Sequence, residues 1–244
     1  MIISYSNDFV FIRIPKCAST TCVVGLYDMG FVDELKGDMC TGIEKSGDVG
    51  IPESHRNPIN WPDPGHEAIL KLLDNDIVTF YNTSNNALAY RQHVWHSPYH
   101  KVVESGLIEE GMPCVSTIRH PVDRFISITA YVDAAPNKET INDPNIAWDG
   151  FKNNEMVFDM WSDMFKHPQS YYVSDDAQLW NVENVYDWLD KFAIEKNVIY
   201  NRPYHYKNNK MNQTIQLTEN RKQEIVDRFE DDYLLWEKSY RVFN

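Results

Sequence analysis

The sequence lacks the features by which several large classes of protein are recognised. No apolar run approaches the ~18 residues that a membrane-spanning helix needs. Basic residues are also scarce: 23 Lys and Arg stand against 36 Asp and Glu, a formal charge of −13. This charge argues against nucleic acid or an anionic membrane as a partner, since both attract basic surfaces. There is no internal repeat and no low-complexity segment, so we expect one globular domain over residues 1–244.

Cysteine is also sparse, and the cysteines lack the spacing of a zinc site. The four cysteines are Cys17, Cys22, Cys40 and Cys114. None forms a paired zinc-binding motif. The first predicted strand begins within ten residues of Met1, which leaves no room for a signal peptide or anchor. We therefore expect reduced thiols in a soluble, cytoplasmic protein.

The most informative stretch runs from Asp8 to Thr21. Phe9 to Ile14 is an apolar run that predicts a buried strand, and Pro15 ends it. Lys16 and a series of small residues follow and lead into a helical pattern: Cys17, Ala18, Ser19, Thr20 and Thr21. Backbone N–H groups at a helix start, together with a Lys, favour anion binding. The turn contains no glycine, so it is not a Walker loop.

A second stretch repeats this arrangement. Met112 to Ile118 predicts a buried strand, Arg119 and His120 form a turn, and Pro121 suits the first position of a helix that runs to Tyr131. Strands that alternate with helices predict a parallel α/β sheet, whose ligands bind outside the carboxyl ends of the strands. The sequence therefore predicts two basic turns at one edge of a sheet.

Weaker patterns predict the helices, strands and connections in the rest of the chain. An irregular excursion is expected at residues 31–65, and polar connections at residues 134–144 and 204–213. The other predicted helices are Thr20–Met29, His66–Leu73, Pro98–Ser105, Phe151–Phe165, Val182–Ala193 and a long C-terminal helix with Thr218 as its N-cap. The other predicted strands are Ile77–Tyr81 and Val198–Tyr200.

Three motifs carry a resemblance to a known family. IPKCASTT, at residues 14–21, resembles the 5′-phosphosulfate loop of sulfotransferases. IRHPVDRFIS, at residues 118–127, resembles their 3′-phosphate motif, R-x-P-x-x-R-x-x-S. YRQHV, at residues 90–94, is similar to a Tyr-x-x-His-Val stretch in the carbohydrate branch, in particular the 2-O-sulfotransferases of heparan and dermatan chains.

The resemblance implies a fold and a reaction. The fold is a P-loop-kinase-like, three-layer α/β fold with a central parallel sheet flanked by helices. The reaction moves a sulfuryl group from 3′-phosphoadenosine 5′-phosphosulfate (PAPS) to an acceptor hydroxyl, here one on a carbohydrate. The products include adenosine 3′,5′-bisphosphate (PAP), and no metal is expected.

The resemblance also assigns roles to residues. Lys16 contacts the 5′-phosphosulfate and stabilises the leaving oxygen, and the turn residues Cys17, Ala18, Ser19, Thr20 and Thr21 hold the same group. Arg119 and Ser127 hold the 3′-phosphate, which suits the multiple donors of a guanidinium. Arg124 either contacts the ligand or pairs with a carboxylate such as Asp123.

His93 is the proposed general base, because a neutral imidazole can accept the hydroxyl proton near pH 7. His96 and His100 are alternatives by proximity. The carbohydrate branch usually has a second His where this chain has Arg91, so Arg91 could instead meet an anionic substrate. The lack of a membrane helix suggests a soluble microbial or viral member.

Other functions stay open from the sequence. His93, His96 and His100 have spacing that a metal site could use, although Pro98 interrupts a common helix. A nucleotide kinase could use Lys16 and Arg119 but would require a glycine-rich loop. A relative that binds nucleotide without turnover is also possible. Neither the acceptor nor the oligomeric state is specified by the sequence.

Overall fold

The computed structural model describes residues 1–4, 7–31, 96–133, 143–153, 166–200 and 216–241. The strands in this part are β1 (Ile2–Ser4), β2 (Phe9–Ile12), β3 (Cys114–Ile118) and β4 (Gln178–Asn181). The helices are α1 (Ser19–Asp28), α2 (Tyr99–Glu104), α3 (Pro121–Asp133), α4 (Pro144–Lys152), α5 (Val185–Glu195), α6 (Glu219–Arg228) and α7 (Glu230–Arg241). Two 3₁₀ helices cover Gln169–Tyr172 and Val182–Asn184.

The four strands form one mixed sheet in the order β1-β2-β3-β4. β2, β3 and β4 are parallel to one another, as the alternation of strands and helices predicts. β1 pairs with β2 in the antiparallel direction, so the prediction of a wholly parallel sheet is wrong at this edge. The antiparallel pairing follows from the short connection, because a parallel neighbour needs a longer crossover. The protein is α/β, with an open four-stranded mixed sheet in the described residues.

Helices cover both faces of this sheet, which explains why every residue of β2 and β3 is buried. Alternate side chains of β2 point to opposite faces. Phe9 and Phe11 pack in one apolar cluster with α1 and α5, whereas Val10 and Ile12 pack in another with α2 and Tyr172. A third, smaller cluster joins α3, α4 and α6.

Several element boundaries follow from local chemistry. α3 begins at Pro121, whose missing N–H costs nothing at a helix start. Gly106 has φ 76° and follows the end of α2, in the left-handed conformation that glycine adopts without strain. Thr218 is the N-cap residue of α6, as predicted, although its side chain makes no capping hydrogen bond.

Other predictions were wrong in detail. Phe151 lies in the last turn of α4 and does not begin a helix; Asp143 caps α4, where its side chain accepts a 2.8 Å hydrogen bond from the Asn145 N–H. Residues 198–200 form no strand. The C-terminal helix is two helices that meet at Phe229. β1 and β4 were not predicted.

Several predicted segments lie partly or wholly outside the described residues. Phe31, the first residue of the predicted excursion, is buried in the core against Phe9 and Phe192. The rest of the excursion and the elements predicted at 66–73 and 77–81 lie outside the described residues, as do the connection at 204–213 and most of that at 134–144. In the ranges described, no helix combines the length and the apolar composition needed to cross a membrane.

Gly25 provides a test of the packing between α1 and α5. A Cβ atom at Gly25 would lie 2.9 Å from Cδ1 of Leu189, which is fully buried. We expect Gly25→Val to lower the free energy of unfolding by about 1–3 kcal/mol through overpacking. In a Leu189→Ala background the same change should cost less, because the cavity accepts the added methyl groups. Denaturant unfolding of the four proteins measures this coupling, and strictly additive effects would contradict the packing described.

Candidate anion-binding site

The two basic turns predicted from the sequence lie side by side. β2 and β3 are adjacent and parallel, so the turns that follow them leave the sheet at the same edge. Nη1 of Arg119 donates a 3.1 Å hydrogen bond to the carbonyl oxygen of Lys16, which joins the second turn directly to the first. The structure therefore brings together Lys16 and Arg119, the two cations that the motifs predict.

The first turn directs its backbone carbonyls into the protein. Four of these oxygens accept hydrogen bonds from side chains of other elements, and two accept from backbone N–H groups of the turn and of α1. The side-chain pairs are His96 with Arg13, Arg124 with Pro15, Arg119 with Lys16, and Thr117 with Cys17. The backbone pairs are Cys17 with Ile14 and Thr21 with Ala18. Negative backbone dipoles are thus turned away from the outer side of the turn.

The first backbone N–H groups at the start of α1, in contrast to these carbonyls, have no backbone partner in the part of the chain that the structure describes. Among the described residues, no backbone carbonyl accepts from the N–H groups of Ala18, Ser19 or Thr20. Lys16 and Ala18 also adopt left-handed conformations, with φ 66° and φ 51°. Such conformations cost about 1–2 kcal/mol in residues other than glycine, and they concentrate at functional turns. Alternating backbone conformations of this kind form concave anion sites.

The electrostatics agree with this geometry. The pKa of Lys16 is lowered to about 8, first because burial penalises the charged amine and second because Arg119 is nearby. An anion bound beside Lys16 would favour the charged amine and so oppose both effects on this pKa. In an acidic protein, this cluster of cations makes the edge locally attractive to negative charge.

The two other residues predicted to bind the 3′-phosphate are placed differently from each other. Arg124 is buried and donates to the backbone oxygens of Pro15 and His167, at 3.2 and 2.9 Å. It makes no ion pair with Asp123, which is exposed, and the carboxylate whose charge it faces is that of Asp232. Ser127 lies one helical turn after Arg124 on α3 and is half-buried. Arg124 thus stabilises the first turn from the protein interior.

The small residues of the first turn divide into inward and outward groups. Cys17 is fully buried, and burial raises the pKa of its thiol to about 11, which fits a space-filling role better than a reactive one. The hydroxyl of Ser19 is buried and accepts a long, 3.5 Å hydrogen bond from Nε of Arg13. Thr20 is exposed and Thr21 is half-buried, so their side chains border the outer side of the turn.

Gln169 and Asp232 complete the site and were not found by sequence reasoning. The side-chain amide of Gln169 bonds to both backbone groups of Arg119 and to the thiol of Cys17. Asp232 accepts from the backbone N–H groups of Gln169 and Ser170, at 2.7 and 2.9 Å. Neither residue belongs to a motif, and their distance in sequence from the turns hides their role.

The predicted general base lies outside the described residues, but a neighbouring histidine is described. Nδ1 of His96 lies 2.5 Å from the carbonyl oxygen of Arg13, so it carries the ring proton and leaves Nε2 as the basic nitrogen. Burial and the Arg13 charge hold the pKa of His96 well below its usual value, so the ring is neutral at pH 7. His100 is exposed and packs against Tyr171.

No cluster of three or more His, Cys, Asp or Glu side chains arranged to hold a metal ion occurs in the described residues. His93 is not among them, so the predicted three-histidine spacing stays untested.

Comparison with known proteins adds no assignment. No family model matches the chain, and no curated protein or solved structure is significantly similar to it.

Lys16 should destabilise the protein at neutral pH when no ligand is bound. The unfolded chain keeps the Lys proton up to about pH 10.5, whereas the folded protein loses it near pH 8. The penalty is therefore complete below pH 8 and disappears as the pH rises towards 10.5. We expect Lys16→Met to raise the free energy of unfolding at pH 7 by about 1–3 kcal/mol, with the gain lost near pH 10.5.

Denaturant unfolding at several pH values measures this difference. Lys222→Met, a change at an ammonium that pairs with Glu219 on α6, serves as the control and should show no such pH dependence. A Lys16→Met protein whose stability follows the wild-type pH profile would contradict the depressed pKa of Lys16.

Proposed function

We propose that this protein is a sulfotransferase that moves a sulfuryl group from PAPS to a hydroxyl group, with a carbohydrate as the acceptor class. The observation that carries the proposal is the juxtaposition of the two basic turns at one sheet edge, joined by the Arg119–Lys16 hydrogen bond. These turns are the two segments whose sequences resemble the phosphosulfate and 3′-phosphate motifs of that family. A finer fold assignment, the P-loop-kinase-like architecture, is part of the same proposal.

The donor requires two anion subsites, and the described residues offer chemistry suited to both. The N–H groups of Ala18, Ser19 and Thr20 and the ammonium of Lys16 suit the 5′-phosphosulfate. The guanidinium of Arg119 and the hydroxyl of Ser127, both on the second motif, suit the 3′-phosphate. The carbonyls of the first turn accept hydrogen bonds from the protein, which weakens their repulsion of either anion.

The reaction breaks one S–O bond and forms another. The acceptor oxygen attacks sulfur in line while its proton passes to a neutral imidazole, for which we propose His93. The bond from sulfur to the bridging oxygen breaks, and the negative charge goes to the departing PAP. Lys16 stabilises that charge, because its ammonium is partly desolvated and attracts an anion more strongly than it would in water. No proton transfer in this reaction requires it.

The proposed roles make different demands on each residue. Removal of the Arg119 guanidinium should weaken PAP binding by about 1.5–3 kcal/mol, since a charge-assisted hydrogen bond is lost. Removal of the His93 imidazole should abolish transfer and leave PAP binding unchanged. Full activity in a His93→Ala protein would move the base to His96 or another group.

The experiment is radiolabelled sulfate transfer from PAPS to a panel of glycans, lipids and small alcohols, without added metal and with a chelator present. We expect transfer to at least one glycan by the wild-type protein. Arg119→Ala should lose it, whereas Arg228→Ala should retain it, since Arg228 lies on α6 and packs over Phe151. Absence of transfer together with an unchanged melting temperature in millimolar PAP would overturn the proposal.

A further inference from the structure

Gln169 occupies a position between the two turns. Its Oε1 atom accepts a 2.9 Å hydrogen bond from the Arg119 N–H and another of 2.9 Å from the Cys17 thiol. Its Nε2 atom donates a 2.8 Å hydrogen bond to the Arg119 carbonyl oxygen. The Gln169 side chain therefore bonds to both backbone polar groups of Arg119, in the second turn. It also bonds to Cys17, at the centre of the first turn.

The orientation of this amide follows from its partners. The Arg119 N–H can only donate and the Arg119 carbonyl can only accept, so Oε1 must face the former and Nε2 the latter. Gln169 is fully buried, and a buried amide is costly unless its polar atoms are paired. Because both the oxygen and the nitrogen of this buried amide are paired, one arrangement of the two turns is lower in free energy than its alternatives.

The backbone of Gln169 is held by a third element, α7. Asp232 on α7 accepts from the N–H groups of Gln169 and Ser170 at the start of a 3₁₀ helix, where backbone donors lack partners in the helix. Burial raises the pKa of the Asp232 carboxyl, and the charge of Arg124 opposes that rise. The backbone of Gln169 is therefore held by α7, in addition to the hydrogen bonds that its side chain makes with the turns.

We propose that Gln169 is a positioning residue, which fixes the spacing between the Lys16 turn and the Arg119 turn so that one ligand can bind to both. Only the identity of that ligand, PAP or PAPS, rests on the proposed function. The spacing itself is a property of the protein without ligand. A ligand with two phosphate groups depends on the spacing, whereas a ligand with one phosphate group does not.

Cys17 supplies a reporter that is independent of any ligand. Its thiol donates to Oε1 of Gln169 and is fully buried. If Gln169 holds the first turn in place, its removal should release this thiol to solvent. Cys22 is buried in the other apolar cluster, with α1 and α5, and serves as the internal control.

The first measurement is the rate of alkylation of each cysteine, followed by mass spectrometry in a Cys40→Ser background. In Gln169→Met, which keeps the shape of the side chain without its amide, we expect Cys17 to react at least about tenfold faster, with Cys22 unchanged. Gln178→Met is the matched control, since Gln178 lies on β4 and should leave all rates as they are. Unchanged protection of Cys17 in a folded Gln169→Met protein would overturn the proposal.

The second measurement compares the dissociation constants of PAP and adenosine 5′-monophosphate by calorimetry. Gln169→Met should weaken PAP binding about tenfold more than monophosphate binding, because only PAP relies on the spacing of both turns. Equal weakening of the two ligands would mean that Gln169 has a purely structural role, and it would contradict the proposal.

A conservative variant keeps the test decisive if Gln169→Met does not fold. Gln169→Glu preserves the shape and the Oε1 acceptor but, when ionised, has an oxygen in place of the Nε2 donor and cannot donate to the Arg119 carbonyl. It should show a smaller increase in Cys17 reactivity and a smaller loss of the PAP preference, and wild-type values for both would overturn the proposal. If the wild-type protein binds no PAP, the proposed function fails, whereas Cys17 alkylation still tests the role of Gln169.

Discussion

The inward hydrogen bonding of the first turn is the constraint on which the site depends. Donors from β3, α3 and the residues that follow them hold the carbonyls of Pro15, Lys16 and Cys17. With its acceptors engaged, the turn keeps Lys16 and Ala18 in left-handed conformations that neither residue favours alone. The turn is therefore held in its conformation by the neighbouring motif, which explains why the two segments lie together at one edge of the sheet.

This arrangement makes the protein less stable than it could be. A desolvated Lys16 beside Arg119 and left-handed backbone at two residues other than glycine all raise the energy of the folded chain. Groups with these properties concentrate at functional sites, because binding relieves what folding alone does not. The surrounding layers supply the compensation, since α1 and α5 on one face and α2 on the other bury the strands that carry the turns.

Local sequence signals predicted part of this structure, and tertiary contacts decided the rest. The strand, turn and helix around Pro15 and Pro121 were predictable, since an apolar run, a proline and a helical pattern follow in order. β1 and β4 have three and four residues, too few to show a period of hydrophobicity. The start of α4 was predictable, because Asp143 stands directly before Pro144. Gln169 and Asp232 could not be found, because only the folded chain brings them to the turns.

The central claim is that the two turns bind the two phosphate groups of one ligand. A crystal structure of the protein with PAP tests it most directly. We expect the 5′-phosphate to lie about 3 Å from the N–H groups of Ala18, Ser19 and Thr20, and the 3′-phosphate at hydrogen-bond distance from the Arg119 guanidinium. PAP bound elsewhere, or bound through only one of the turns with its other phosphate in solvent, would show that the two turns are not a two-phosphate site.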